Sequence, residues 1–378
     1  MVEEKRKKYL LLYLKTGGGH LAPAKAVFNF INRYHSNTSQ PELIYGFEKS
    51  PEWVKYAIED GYRILQAKAK WFFEFLYALN KIKIIAHITS SLVSGFVIKY
   101  LEETILKDKP DKIVVFHFFL LHPVFKILKK YNLNIPVITV VTDPFTPHPM
   151  WFLRKNQKFI LFSEKLAHKI RRKHPENIIN VFPFILDEKF SSPMLAEEIV
   201  QLKKKFGYKQ DKKVLLILGG GDGIPHGKEI MKELLNSKMN VQVAIVCGKN
   251  EELLKSSERL KNEFHAATLK MYGYVDFIYE LLNISDVIIT KCGASTIMEI
   301  LILQKVPIVN DYLWEQEQGN IDYLKEKVLG IYEPKIKKIP TTANDLLSNN
   351  NSYSKYRTNI ISEKIRNGLK DFVEFILK

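Results

Sequence analysis

Residues 286–320 read DVIITKCGASTIMEILILQKVPIVNDYLWEQEQGN. Val287, Ile288, Ile289 and Thr290 are β-branched, a short run suited to a buried strand. The chain then turns at Lys291, Cys292 and Gly293, and a helix is expected over 296–303 with Ser295 as its N-cap. Residues 306–309 are again strand-like. Strand, helix and strand in that order make a βαβ unit of a parallel sheet.

The alternation continues in both directions. Strand-length apolar runs at 9–14, 112–116, 137–142 and 158–162 alternate with helical stretches at 24–34, 124–131 and 164–173. A second set has strands at 214–218, 241–247 and 269–272 and helices at 228–237, 253–264 and 277–283. The expected fold class is α/β, with two Rossmann-like, doubly wound parallel sheets. A length of 378 residues, 46% of them hydrophobic, is more than one core organises. Pro183, Pro193 and the Ser191-Ser192 pair interrupt the pattern, which puts the linker near 182–193. The expected domains are 1–188, 189–361 and a closing helix, 362–378, returning to the first. The polar tract 341–356 is expected to be a surface connection.

The net charge of +16, with basic clusters at 5–8, 171–173 and 203–205, suits an anionic partner. No nucleic-acid-binding motif accompanies it. Cys247 and Cys292 are the only cysteines, in no ligand spacing, which argues against a disulfide framework or a zinc site and fits a reducing cytoplasm. No secretion signal is expected. In the apolar run 84–100, His87, Thr89, Ser90, Ser91, Ser94 and Lys99 argue against a transmembrane helix.

Three turns carry the chemistry. Gly17, Gly18 and Gly19 follow the first strand and lead into His20; glycines let the backbone approach a phosphate or sugar, and a helix start supplies amides and partial positive charge. The run lacks both the G-x-G-x-x-G pattern and the P-loop ending, which disfavours a dehydrogenase or an NTPase. His20 is a candidate general base, or alternatively a cap or a sugar ligand. Pro23 is expected in the first turn of its helix. Gly219, Gly220, Gly221, Asp222 and Gly223 repeat the device in the second half, so an interdomain cleft is the expected site. In the third turn, amides at Ser295 and Thr296 can hold a diphosphate. Glu299 can accept from two vicinal ribose hydroxyls, and the loop holding Gln316, Glu317 and Asn320 suits sugar hydroxyls.

In order and spacing, these motifs resemble the monogalactosyldiacylglycerol synthases and processive diacylglycerol glucosyltransferases over nearly the whole chain. Thr142-Asp143, the run from His148 through Pro149, Met150, Trp151 and Phe152, and the pair His117 and His122 belong to the same likeness. The resemblance implies a GT-B fold, a UDP-hexose donor, a diacylglycerol-type acceptor, inversion at the anomeric carbon, no metal and no cofactor besides the donor. It implies that Glu299 binds ribose, that Lys291, Gly293, Ser295 and Thr296 bind the diphosphate, and that Gln316, Glu317 and Asn320 face the sugar. Gly18, Gly19, Gly220 and Gly221 would line the donor site, His148 and Trp151 the acceptor side. His20 or Asp143 would be the base. The family's Lys-Ala-Gly-Pro-Gly-Thr is here Lys-Cys-Gly-Ala-Ser-Thr, and Glu315 replaces a glycine, which leaves glucose against galactose open. A more distant similarity to the lipid II-forming N-acetylglucosaminyltransferase makes a lipid-linked peptidoglycan precursor the rival acceptor. UDP-sugar 2-epimerases share the architecture and the donor.

One segment bears on membranes. Trp71, Phe72, Phe73, Phe75, Leu76, Tyr77 and Leu79 lie between Lys68, Lys70, Lys81 and Lys83. Aromatics at headgroup level with lysines on anionic phosphates are the chemistry of an interfacial helix. Trp71 and Phe72 are expected on the acceptor side, and the chain on the cytoplasmic face of an anionic membrane as a peripheral protein.

Overall fold

The computed structural model describes residues 6–61, 64–65 and 69–378. Lys5 and Lys68, part of the basic clusters above, lie outside the described residues. The chain divides into two units, Met1–Glu188 with Asn367–Lys378, and Lys189–Arg366.

The first unit holds β1 (Lys7–Tyr13), β2 (Ser39–Tyr45), β3 (Lys112–Val115), β4 (Val137–Val140), β5 (Lys158–Leu161) and β6 (Ile178–Val181) in the order β2-β1-β3-β4-β5-β6, every pair parallel. Leu10, Leu11 and Leu12 are fully buried in succession, because helices cover both faces of such a sheet. β2 carries Pro41, which an edge strand tolerates and which hides it from a strand pattern.

The second unit holds β7 (Val214–Leu218), β8 (Gln242–Val246), β9 (Leu269–Tyr272), β10 (Val287–Lys291), β11 (Val306–Asp311) and β12 (Ile331–Tyr332) in the order β12-β11-β10-β7-β8-β9. All pairs are again parallel. In open sheets of this kind ligands bind beyond the strand ends where the order reverses. Those points are β1/β3 in the first sheet and β7/β10 in the second. They carry the turns at Gly17, His117, Gly219 and Lys291.

Four expectations change. Pro23 sits inside its helix, because Gly18–Tyr34 begins within the glycine run. Ser295 is not the N-cap: Gly293 is, and the helix starts at Ala294. The polar tract is two helices, Ile339–Ser348 and Asn350–Ser362; Asn349 Oδ1 accepts from the amides of Asn351 and Ser352, while Ala343, Leu346 and Ile360 are buried. The closing helix is shorter, Leu369–Leu377, and its Phe372, Val373 and Ile376 join the core of the first unit.

The apolar run near residue 90 belongs to a long helix, Lys83–Asp108, the one described helix with the length and composition to cross a membrane. Its Val93, Val97, Leu101 and Ile105 are built into the core of the first unit. Ile84, Ile88, Leu92 and Phe96, one turn apart on the other side, are exposed.

Candidate active site

In the first unit the chain leaves β1 and turns at Lys15, whose amide donates to Glu59 Oε1 at 2.7 Å, while Tyr45 donates its hydroxyl to Glu59 Oε2 at 2.6 Å. Gly17 caps the helix with φ 97°, a conformation that favours glycine. A Cβ added at Gly18 or Gly19 would meet nothing within 4 Å. Pro23 has no N–H, so the Gly19 carbonyl loses its donor one turn on.

His20 is buried in this first turn. Its Nδ1 lies 2.8 Å from the Phe116 carbonyl and 2.8 Å from Thr142 Oγ1. A carbonyl only accepts, so Nδ1 carries the proton. Nε2 is then a bare acceptor, with no hydrogen-bond partner among the described residues. Burial lowers the His20 pKa, opposed by the Asp143 charge and the Phe116 bond, which leaves the ring neutral at pH 7. The His117 ring stands edge-on at 4.4 Å, accepts from the Phe119 amide, and is driven far down in pKa by burial and then by His20.

Asp143 Oδ2 accepts the Trp151 indole N–H at 3.1 Å. Trp151 is wholly buried, so the expectation that it lines an acceptor surface is corrected: its ring packs in the core and its polar atom holds Asp143. His148 is likewise buried. It accepts from the Met150 amide at Nδ1 and donates from Nε2 to the Tyr77 carbonyl, both at 3.1 Å. Trp71 and Phe72 are exposed on the helix Lys70–Leu79, with Phe73 buried behind them.

In the second unit β7, β10 and β11 are adjacent, which gathers three loops. Ser295 stands in the first turn of Ala294–Ile302, its Oγ buried without a hydrogen-bond partner among the described residues. Thr296 and Glu299 follow, both half-buried. Asn320 donates to the Cys292 carbonyl at 2.8 Å and so clamps the turn. Glu317 Oε2 accepts the Leu313 amide at 2.7 Å, while Oε1 would lie 3.9 Å from a Cβ at Gly293. Gln316 is half-buried on the same loop. Lys291 Cε would lie 3.9 Å from a Cβ at Gly220. Gly221 accepts the Lys249 amide at 2.8 Å, and Gly248, at φ 59°, leaves only 2.3 Å between an added Cβ and the Gly221 oxygen. Asn310 Nδ2 donates to the Pro225 carbonyl, and its Oδ1 is buried unbonded.

Glu59, Gly248 and the Phe116 carbonyl escape sequence reasoning, while Thr142 belongs to a motif that the sequence shows without its bond to His20. A backbone oxygen has no residue signature, and Glu59 is brought in by a short π-helix, Tyr56–Asp60, far from any motif.

Residues 20–165 match the family of monogalactosyldiacylglycerol (MGDG) synthases, and residues 214–372 match the glycosyltransferase family 28 C-terminal domain. The chain is similar to the monogalactosyldiacylglycerol synthases and processive diacylglycerol glucosyltransferases over most of its length. A probable monogalactosyldiacylglycerol synthase of Nicotiana tabacum is 27% identical over 89% of this chain, which spans 64% of that protein. A processive diacylglycerol β-glucosyltransferase of Bacillus subtilis is 27% identical over 98% of this chain and 95% of its own length. Among solved structures, Anabaena HepE in complex with UDP-glucose superposes with a TM-score of 0.58 at 11% identity, covering 98% of each chain. The fold shared with such enzymes is GT-B.

Proposed function

We propose that the chain transfers a hexose from a UDP-sugar to the hydroxyl of a diacylglycerol-type lipid at a membrane surface, with inversion. The observation that carries this reading is His20, a neutral imidazole with Nε2 bare beside a glycine turn at a topological switch point.

In this reading the acceptor hydroxyl gives its proton to His20 Nε2 as its oxygen attacks the anomeric carbon. The bond from that carbon to the diphosphate oxygen breaks and UDP leaves. Asp143, held by Trp151, favours the imidazolium that forms, consistent with its upward pull on His20. In the second unit the amides of the 294–296 helix start and Lys291 take up the charge growing on the diphosphate. Glu299 binds the ribose hydroxyls. The unbonded Ser295 and Asn310 oxygens give the donor further partners.

The lipid is met by an exposed apolar surface. On the helix Lys70–Leu79, Trp71 is 73% exposed and Phe75 56%, beside Phe72; on Lys83–Asp108, Leu92 is 65% exposed, in line with Ile84 and Ile88; Lys70, Lys81 and Lys83 stand in the same stretch of sequence. Such a face fits a bilayer whose headgroups take the lysines. Val93, Val97, Leu101 and Ile105 tie the long helix to the core of its domain, which supports a peripheral attachment.

The test is to supply labelled UDP-glucose, UDP-galactose or UDP-N-acetylglucosamine with diacylglycerol vesicles and extract the lipid. Label is expected there with glucose or galactose. Label from UDP-N-acetylglucosamine alone, or free sugar epimerised without lipid, would replace this reading.

A further inference from the structure

His148 is tied at both ends. Its Nδ1 accepts from the Met150 amide, so the ring is neutral and the proton sits on Nε2, which donates to the Tyr77 carbonyl 71 residues away. Tyr77 lies in the last turn of Lys70–Leu79, where carbonyls lack a helical donor; the amides of Asn80 and Lys81 go to Leu76 and Ala78. The Tyr77 ring meets the imidazole edge-on at 4.4 Å. On the other side His148 caps the turn Pro149–Phe152, which carries Trp151 and through it Asp143. Phe118 packs on both His148 and Trp151. One imidazole therefore stands between a helix whose outer face is Trp71, Phe72 and Phe75 and the carboxylate beside His20.

We propose that His148 is a positioning residue that transmits the seating of the helix Lys70–Leu79 on a lipid surface to the Asp143 carboxylate. This rests on the membrane-surface reading above. With the helix seated, the bond to Tyr77 holds the 149–152 turn, and the indole holds Asp143 toward His20. With the helix unseated, the turn is released and turnover falls while donor binding is kept.

The test uses the full chain labelled with 5-fluorotryptophan, its Trp71 and Trp151 fluorine resonances assigned by W71F and W151F. Anionic phospholipid vesicles containing diacylglycerol are expected to shift both, although Trp151 touches no solvent. H148N keeps an acceptor for the Met150 amide but cannot reach Tyr77; it should leave the Trp71 shift and abolish the Trp151 shift. In H148N, kcat on vesicles over kcat on a monomeric short-chain diacylglycerol should fall from its wild-type ratio toward 1, with the KM for the UDP-sugar unchanged. H148Q, with an amide N–H at the reach of Nε2, should restore the ratio. A Trp151 resonance that ignores vesicles while Trp71 responds overturns the coupling alone. A silent Trp71 overturns the membrane reading and the coupling with it. An H148N that retains both the Trp151 shift and the ratio also overturns it.

Discussion

The His20 imidazole and the Phe116 carbonyl, 96 residues apart in sequence, share a 2.8 Å hydrogen bond that selects the tautomer with Nε2 bare. His20→Ala should then lower kcat by more than about 100-fold, the usual scale for losing a general base, while UDP still protects the protein against heating. Because burial holds the His20 pKa below 6.5, kcat should stay flat through neutrality and fall only at lower pH, as Nε2 takes a proton. A rate profile from pH 4.5 to 8 checks this. An acid limb already complete at pH 7 would exclude His20 as the base.

His117 leads to a stability prediction. Burial, and then His20, keep its folded pKa well below 6.5, so between that value and about 6.5 the unfolded chain binds more protons than the native one. Stability is therefore full above about pH 6.5 and is lost as pH falls toward the folded pKa. His117→Asn keeps an acceptor for the Phe119 amide and removes the titration. Melting temperatures at pH 7.5 and 5 should differ less in this variant than in the wild type.

The same residues explain how much was legible beforehand. Most strands announce themselves because a parallel strand buried on both faces is a nearly pure apolar run, as at Leu10–Leu12 and Ile288–Ile289, whereas the edge strands β2, β6 and β12 do not. Glycine turns at strand ends are visible for a related reason, since only there must backbone come close to backbone or ligand. Illegible were features made by tertiary contact. Thr341–Tyr356 is polar in sequence, yet its few apolar residues pack inward, and Asn349 provides the cap that starts the second helix. Trp151 and His148 carry a polar handle that suggests a ligand, but folding spends those handles on Asp143 and Tyr77. Composition cannot separate a side chain aimed at substrate from one aimed at its neighbour.

In the second unit, Asn320 and Gly248 make separable predictions. Asn320→Ala leaves the Cys292 carbonyl without its buried donor, which should cost on the order of 1–3 kcal/mol. The slackened turn should raise the KM for the UDP-sugar more than it lowers kcat. Gly248→Ala adds strain at φ 59° to a clash with the Gly221 backbone, so a loss on the order of 3 kcal/mol is expected. Denaturant titration with and without UDP checks both. A Gly248→Ala protein of wild-type stability would show that the loop relaxes freely.

The exposed apolar side chains can be separated from the fold because Trp71 and Leu92 are largely exposed. Trp71 and Leu92 project from different helices, and changes at such exposed positions usually alter stability by less than about 0.5 kcal/mol. Trp71→Ser combined with Leu92→Ser should therefore melt like the wild type. If the two side chains enter a bilayer, the double variant forfeits on the order of 2 kcal/mol of apolar burial, a roughly thirtyfold weaker partition to vesicles. Changing Lys70, Lys81 and Lys83 to Gln should instead weaken binding only to anionic vesicles, and less so at high salt, because exposed charges are screened. Flotation with neutral and anionic vesicles distinguishes the two contributions. Unchanged partition in the Trp71 and Leu92 variant would mean that this face is covered by something other than lipid.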